Sequence, residues 1–313
     1  MKYEDAKAYC EAIETLNKEY KKLLCSPVLE RDRKRRKIID YLKHLKIISL
    51  FKMIMLRSRL SFIYEMYPEK ENGIYGFLQE YYDNSSLKSS RIAVYYCIVG
   101  NYDNFQEPLF RPHNIDYYLF TDRPISSDII IVKSIPEKLR DLSPSDINRY
   151  IKMHPKEFFD GYDYSIYLDG NVRVISDIRQ WLVPASEAAS GIAMHLHPSR
   201  DCLFDEAEVC MQIGKGNKVK ILKQIEEYES AGMPKHFGLF EATAIVVNLA
   251  SEEAVQLLNE WYIEYRNNES GRDQLALPYI IWKKGLPFNC IGILGSNIKD
   301  SKLLHISTKH SAN

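Results

Sequence analysis

Between residues 92 and 249 the chain carries six short apolar runs: IAVYYCIV (92–99), IDYYLFT (115–121), IIIVKSI (129–135), YSIYLDG (164–170), GIAMHLH (191–197) and ATAIVVNL (242–249). Strands that face solvent on one side alternate apolar with polar residues; these runs mostly do not, so they read as strands buried on both faces. Helix-length segments separate several of them. The pattern therefore predicts an α/β domain in which at least one helical layer covers each face of the sheet. No internal repeat and no low-complexity tract is found.

Upstream, Ala6, Tyr9, Cys10, Ile13, Leu16, Tyr20, Leu23 and Leu24 recur at spacings of three and four, the mark of an amphipathic helix that ends before Ser26-Pro27. A second helical stretch is expected from about Leu29 to Tyr67, opening on RDRKRRK at 31–37. Its basic face is suited either to solvent or to an anionic membrane surface or protein partner. The polar segment YYDNSSLKSS at 81–90 marks the change of pattern. We therefore expect a helical N-terminal extension over 1–88 and the α/β domain over 89–313.

Lysine plus arginine and aspartate plus glutamate number 42 each, so no basic excess points to a nucleic-acid partner. The six cysteines form no CxxC pair and read as reduced, structural thiols. The start MKYEDAKAYCEAIE is acidic and amphipathic, unlike a signal peptide, and the most apolar window, IISLFKMIML at 47–56, is far short of the roughly 20 residues of a bilayer span. A cytoplasmic location is expected, with contact to the inner face of the membrane through the N-terminal helices as an extension of that reading.

In open α/β sheets, ligands gather beyond the carboxyl ends of the strands. Asn101 and Asp103 follow the first run in GNYD, and Asp122 follows the second in FTD; both segments also suit ordinary turns. The most informative end is DYSIYLDGNVRV at 163–174, where Asp169 and Asn171 flank Gly170 directly after a strand. Two oxygen-bearing side chains so placed suit a divalent cation that holds a diphosphate. A hairpin turn is the alternative. Arg149 and Lys152 lie one helical turn apart and can reach one site, where cations would offset phosphate charge. His195, His197, Arg200 and Asp201 cluster after another strand, and Glu241 interrupts an apolar run, where a carboxylate needs a partner or a task.

The stretch YLDGNVRVISDI resembles the Asp-x-Asp segment of GT-A fold glycosyltransferases, particularly family 8. Together with RIAVYYCIVGNYD, IDYYLFTD, INRYIKMHPKEFFDGYDYSIYLDGN, HPSRDCLFDEA, GLFEATAIVVNL and GRDQLALPYIIWKKG, it is similar to the glycosyltransferase-like domain family of bacterial polysaccharide loci and plant mucilage-related proteins. The resemblance covers roughly 91–310. It implies an α/β, GT-A (Rossmann-like) nucleotide-diphospho-sugar transferase fold, a nucleotide-sugar donor, a carbohydrate acceptor, and Mn2+ or Mg2+ at Asp169, Asn171 and His305. Asn171 stands where family 8 usually has a second aspartate, which puts metal dependence in question. The resemblance further implies donor contacts by Asn101, Asp103, Asp122, Arg149, Lys152 and Lys309, and acceptor contacts by His195, His197, Arg200 and Asp201. Glu241, Asp273 and Gln274 join Asp169 as catalytic candidates, with Glu241 or Asp273 as the base if the enzyme inverts. His310 is a second candidate for the C-terminal metal ligand. A sugar nucleotidyltransferase is the rival from related chemistry, but GNYDNFQEP lacks its glycine-rich basic loop. A non-catalytic nucleotide-sugar-binding or scaffold protein is the other alternative.

Overall fold

The computed structural model describes residues 2–24, 77–100, 103 and 105–307. The expected helix over about 29–67, and with it the proposed docking surface, lies outside the described residues, as do Asn101, Lys309 and His310.

In chain order the helices and strands are α1 (Tyr3–Leu24), α2 (Leu78–Asp83), α3 (Ser85–Ser89), β1 (Ile92–Ile98), β2 (Ile115–Thr121), β3 (Ile131–Ser134), α4 (Pro144–Met153), α5 (Pro155–Phe158), β4 (Tyr164–Leu168), β5 (Val172–Val174), α6 (Leu182–Glu187), β6 (Ile192–Leu196), α7 (Leu203–Ile213), α8 (Lys218–Ser230), β7 (Phe240–Asn248), α9 (Glu252–Asn268), α10 (Asp273–Lys283), β8 (Gly292–Gly295) and β9 (Leu304–Ile306). Seven strands form one sheet in the order β3-β2-β1-β4-β7-β6-β8. All neighbours run parallel except β7, which is antiparallel to both β4 and β6. A separate ribbon pairs β5 with β9.

Every residue of β1 and β4 is buried, as their unbroken apolar runs require. Alternate side chains of β1 enter two different cores. Ala93, Tyr95 and Cys97 pack with residues of α4 and α7–α10, whereas Ile92, Val94, Tyr96 and Ile98 pack with residues of α1, α2, α3 and α6. The two cores give the expected helical layer on each face. Ala6 of α1 belongs to the second core, Tyr3 and Tyr9 pack against it, and buried Cys10 accepts the Ser176 hydroxyl at 2.9 Å, so the first turns of the N-terminal helix are part of the α/β body.

Local signals explain where the site-bearing helices begin. Ser143 caps α4 by accepting the Asp146 N–H at 3.1 Å, and Pro144 occupies its first turn, where a missing N–H costs nothing. Ser251 caps α9 in the same way, accepting the Ala254 N–H at 3.1 Å. The five described cysteines are free and buried, as expected of structural thiols.

Candidate active site

Asp169 is the first residue beyond β4. Its N–H donates to the Thr243 carbonyl and its own carbonyl accepts from Val172 N–H, both at 3.0 Å, so the backbone turns sharply into β5. Gly170 is required here by space. A Cβ at this position would lie 2.7 Å from Ile98 Cγ1 and 2.8 Å from its Cδ1, closer than carbon atoms approach.

Inside that turn, the Tyr167 hydroxyl donates to Asp169 Oδ1 at 2.9 Å. Asn148 of α4 bridges Tyr167 to the end of β1, its Nδ2 reaching the Tyr167 hydroxyl at 3.0 Å and the Cys97 carbonyl at 2.8 Å. The carboxylate is thereby held between the carboxyl ends of the two central strands, the position where an open α/β sheet accepts ligands.

Next along α4, Arg149 and, one turn on from Asn148, Lys152 share a single carboxylate. Lys152 Nζ lies 2.9 Å from Asp273 Oδ2, and Arg149 Nη2 lies 3.4 Å from Asp273 Oδ1. Lys152 and Asp273 are buried, and the ammonium sits over the rings of Tyr167 and Trp261, 5.1 and 5.7 Å from their centroids. Trp261 also donates its Nε1–H to the Asp273 carbonyl at 2.7 Å, fixing the start of α10. Burial opposes ionisation of Asp273, but Arg149 and Lys152 outweigh it and hold the carboxyl well below the ordinary aspartate range. Arg149 is correspondingly raised, chiefly by Asp273, with Asp169 a further contributor. Its Nε is buried without a hydrogen-bond partner, leaving donor capacity on the guanidinium.

Glu241 of β7 accepts the Thr243 hydroxyl at 2.8 Å. Burial pushes its carboxyl above the ordinary glutamate range, and the charge of Asp169 acts in the same direction. The two carboxyl candidates for the base are therefore driven apart: Asp273 is fixed as an anion, while Glu241 binds a proton more readily.

A second polar knot adjoins the first. Glu206 of α7 takes Arg200 Nε on Oε2 at 2.6 Å and Arg272 Nη2 on Oε1 at 3.4 Å. Arg272 also reaches Gln274 Oε1 at 3.3 Å, and Gln274 Nε2 donates to the Phe240 carbonyl at 2.7 Å, tying α10 to β7. His197 Nδ1 accepts the Ser199 N–H at 3.3 Å, and its Nε2 lies 3.3 Å from Arg200 Nη2 and 3.7 Å from Glu206 Oε2. Burial lowers the imidazole to about 4, so the ring is neutral near pH 7.

The remaining predicted residues are placed apart from these knots. His195 is fully buried, its ring edge-on to Trp181 with 5.4 Å between centroids and its Cδ2 3.4 Å from where a Gly295 Cβ would stand. Asp201 holds His236, 2.8 Å from its Nδ1. Asp122 accepts the Gly100 N–H at 3.1 Å and so anchors the loop after β1. Asp103 is buried, and its carbonyl accepts from Arg123 at 2.5 Å.

For a divalent cation, the expected set is Asp169, Asn171 and His305. Asn171 pairs with Ser307 through backbone and side chain, the Nδ2 donating to the Ser307 carbonyl at 3.2 Å. Its amide oxygen is thus the atom left for a cation. His305 pairs in register with Arg173, two residues beyond Asn171, so it shares a ribbon face with Arg173. One carboxylate, one amide oxygen and one imidazole suit Mn2+, and the two oxygen donors suit Mg2+, when phosphate oxygens complete the sphere.

Sequence reasoning missed Tyr167, Asn148, Glu206 and Arg272. Tyr167 and Asn148 carried a faint signal, a hydroxyl inside a buried strand and an amide within a basic helix. Glu206 lies in LFDEAEVC among other acidic residues, with nothing in its neighbours to mark the two arginines it meets.

A mostly parallel sheet with an antiparallel strand beside β4, and a carboxylate-led cluster at its carboxyl edge, define a GT-A-like α/β domain. Residues 128–289, more than half of the 313-residue chain, match the family model described as TOD1/MUCI70, glycosyltransferase-like domain. The chain belongs to that family. Among solved structures it is similar to the apo form of the bifunctional glycosyltransferase WbbM, with 11% identity over 66% of this chain and TM-score 0.38. It spans 39% of that protein's chain. It is also similar to the galactosyltransferase LgtC, with 17% identity over 60% of this chain and 70% of that one, TM-score 0.33. Mouse xyloside xylosyltransferase 1 is similar at 9% identity over 66% of this chain and 84% of that one, TM-score 0.38. No curated protein matches the chain. Among the described residues, no helix is long and apolar enough to cross a membrane.

Proposed function

We propose that this chain is an enzyme that transfers a glycosyl group from a nucleoside diphosphate sugar to a hydroxyl of a carbohydrate acceptor. The observation that carries the reading is the pair of cations on one turn of α4, Arg149 and Lys152, converging on buried Asp273 within electrostatic reach of Asp169. Such a fixed positive surface at the carboxyl edge of the sheet suits a diphosphate. It would stabilise the charge that grows on the leaving group without reorganising.

Asp169, Asn171 and His305 are the residues that would hold a divalent cation, which when bound neutralises diphosphate oxygens and assists departure as a Lewis acid. Asp273 is too well neutralised by cations to act as a base, and its role in this reading is to position Arg149 and Lys152. Glu241 fits the general base for an inverting reaction, because a raised carboxyl both accepts a proton and remains ionised over part of the working range. In a retaining reaction, to which similarity to family 8 points, the leaving phosphate takes that proton, and Glu241 then orients the acceptor. Gln274, His197 and Arg200 border the acceptor side in the same scheme. Asn101, Asp103, Asp122 and Lys309 remain proposed donor contacts, and His195 and Asp201 proposed acceptor contacts, on the resemblance alone. The same resemblance suggests cell-surface polysaccharide or glycan synthesis on the cytoplasmic side, with the segment 29–67 docking to the membrane or to a protein partner.

A nucleotide-sugar-binding or scaffold role is the second reading, favoured by Asn171 in place of a carboxylate. Release of nucleoside diphosphate from a panel of nucleotide sugars with Mn2+ separates the two. The enzyme reading expects turnover of at least one donor that is lost in Asp169→Ala and kept in the surface variant Lys283→Ala. Binding without turnover across all donors and acceptors overturns it.

A further inference from the structure

A second, chemically different metal site stands apart from Asp169. Cys202, Asp205 and His236 each offer a ligand atom, and the three atoms lie within 4.8 Å of one another. Among the described residues it is the one such grouping of three His, Cys, Asp or Glu side chains. Cys202 immediately precedes α7, and Asp205 lies three residues on, so both project from one side of its first turn. His236 arrives from the loop between α8 and β7.

The loop is built to present that imidazole. His236 has φ 58°, in the left-handed region that non-glycine residues rarely adopt, so its backbone is held there by its surroundings. Asp201 supplies the hold twice: its carboxylate engages His236 Nδ1 at 2.8 Å, and its carbonyl accepts the Gly238 N–H at 2.8 Å. Gly238 (φ 127°) packs on Phe288 so closely that a Cβ would fall 2.2 Å from the ring. With Nδ1 turned to a carboxylate, Nε2 is the nitrogen left for a metal. A carboxylate behind the outer nitrogen is the arrangement that orients metal-binding histidines and raises their basicity.

We infer that Cys202, Asp205 and His236 form a zinc site, with Asp201 as its orienting partner and water in the fourth position. A thiolate with an imidazole and one carboxylate selects Zn2+ over Mg2+ or Mn2+. On binding, the Cys202 thiol loses its proton to solvent and the sulfur forms the Zn–S bond, while His236 contributes a neutral nitrogen lone pair. Tetrahedral zinc spaces its ligand atoms about 3.3–3.6 Å apart, so atoms already within 4.8 Å of one another need close by no more than about 1.5 Å. The His236 side chain is 59% exposed, which gives the ion an entry path and leaves room for that adjustment. Zinc there would staple the loop leading into β7 to the start of α7, the two segments that flank Arg200, Glu206 and Glu241.

Cobalt titration of the metal-free full-length protein tests the assignment. One equivalent of Co2+ is expected to give a near-ultraviolet thiolate-to-cobalt charge-transfer band that Zn2+ abolishes. The band is expected to vanish in Cys202→Ser and to persist in Asp169→Ala and Cys290→Ser, so the outcome is independent of sugar transfer. His236→Asn tolerates the left-handed backbone and keeps the buried thiol, and it should also abolish stoichiometric binding. Asp201→Asn should weaken zinc about 10–100-fold. Absence of the charge-transfer band in the folded wild type, or zinc binding undiminished in both Cys202→Ser and His236→Asn, overturns the inference.

Discussion

Replacing Asp273 by Asn isolates the electrostatic centre of the site at almost constant volume. Asp273 is the shared partner of Lys152 at 2.9 Å and Arg149 at 3.4 Å, and both it and Lys152 are buried. Removing one partner of a buried ion pair leaves uncompensated charge and costs about 3–5 kcal/mol. With an unfolding entropy of about 2 cal/mol/K per residue over a 313-residue chain, the midpoint of thermal unfolding should fall by roughly 5–8 °C. Urea denaturation with matched m-values would give the free energy directly. Lys152→Met removes one of the two cations, so Asp273→Asn combined with Lys152→Met should lose less than the sum of the single changes. The coupling should be on the order of 1–3 kcal/mol for residues in direct contact.

The pH dependence has a definite sign. Asp273 is depressed in the folded protein, so its contribution is complete above the ordinary aspartate value near 4 and drains away as pH falls further toward the folded value. Wild-type stability should therefore drop more steeply below about pH 4 than that of Asp273→Asn. Additive single changes, a loss under 1 kcal/mol, or identical acid limbs would refute the claim that Asp273 is held as an anion by these two cations.

Three further outcomes follow from the same geometry. Gly170→Ala should destabilise by about 1–3 kcal/mol, because its Cβ collides with Ile98, and Gly170→Ala combined with Ile98→Ala should lose less than the sum of the single changes in a urea melt. His197, lowered to about 4 by burial, is predicted to show no ring-proton titration above pH 5 by NMR; because the unfolded chain takes up that proton first, stability should decline as pH falls from about 6.5 toward 4, and His197→Gln should flatten this slope. Glu241→Gln should reduce transfer by about 10²–10⁴-fold and remove the acidic limb of the pH–rate profile if Glu241 is the base, whereas an unchanged limb would leave it an orienting group.

Much of the sheet was legible because its strands are buried on both faces and announce themselves as unbroken apolar runs. All six runs correspond to strands, although β3 is confined to Ile131–Ser134 and β7 begins earlier, at Phe240. The three short strands were not legible. Val172–Val174 and Leu304–Ile306 acquire strand character only by pairing with each other, and GILG at 292–295 has too little apolar bulk to stand out. The N-terminal helix was read correctly over Tyr3–Leu24, but its spacing could not reveal how it docks: Cys10 is buried while Leu16, on the same predicted stripe, is 66% exposed.

At the site, Asp169, Arg149 and Lys152 were visible as residue types at the right strand end and helical spacing. The partnership with Asp273 was not, since it joins positions separated by 121 residues. An aspartate at the start of a helix is by type suited to capping it, yet α10 shows no side-chain capping bond and the Asp273 carboxylate is spent on the two cations. The packing of His195 edge-on against Trp181 was equally hidden, since it joins a strand to a segment before the preceding helix.

The most direct measurement is an anomalous-scattering map from a crystal grown with Mn2+ and the nucleoside diphosphate of whichever donor is turned over. A manganese peak is expected at bonding distance from the Asp169 carboxylate, with diphosphate oxygens within hydrogen-bond reach of Arg149 and Lys152. Nucleotide bound elsewhere, with Asp169 touching neither metal nor phosphate, would contradict it.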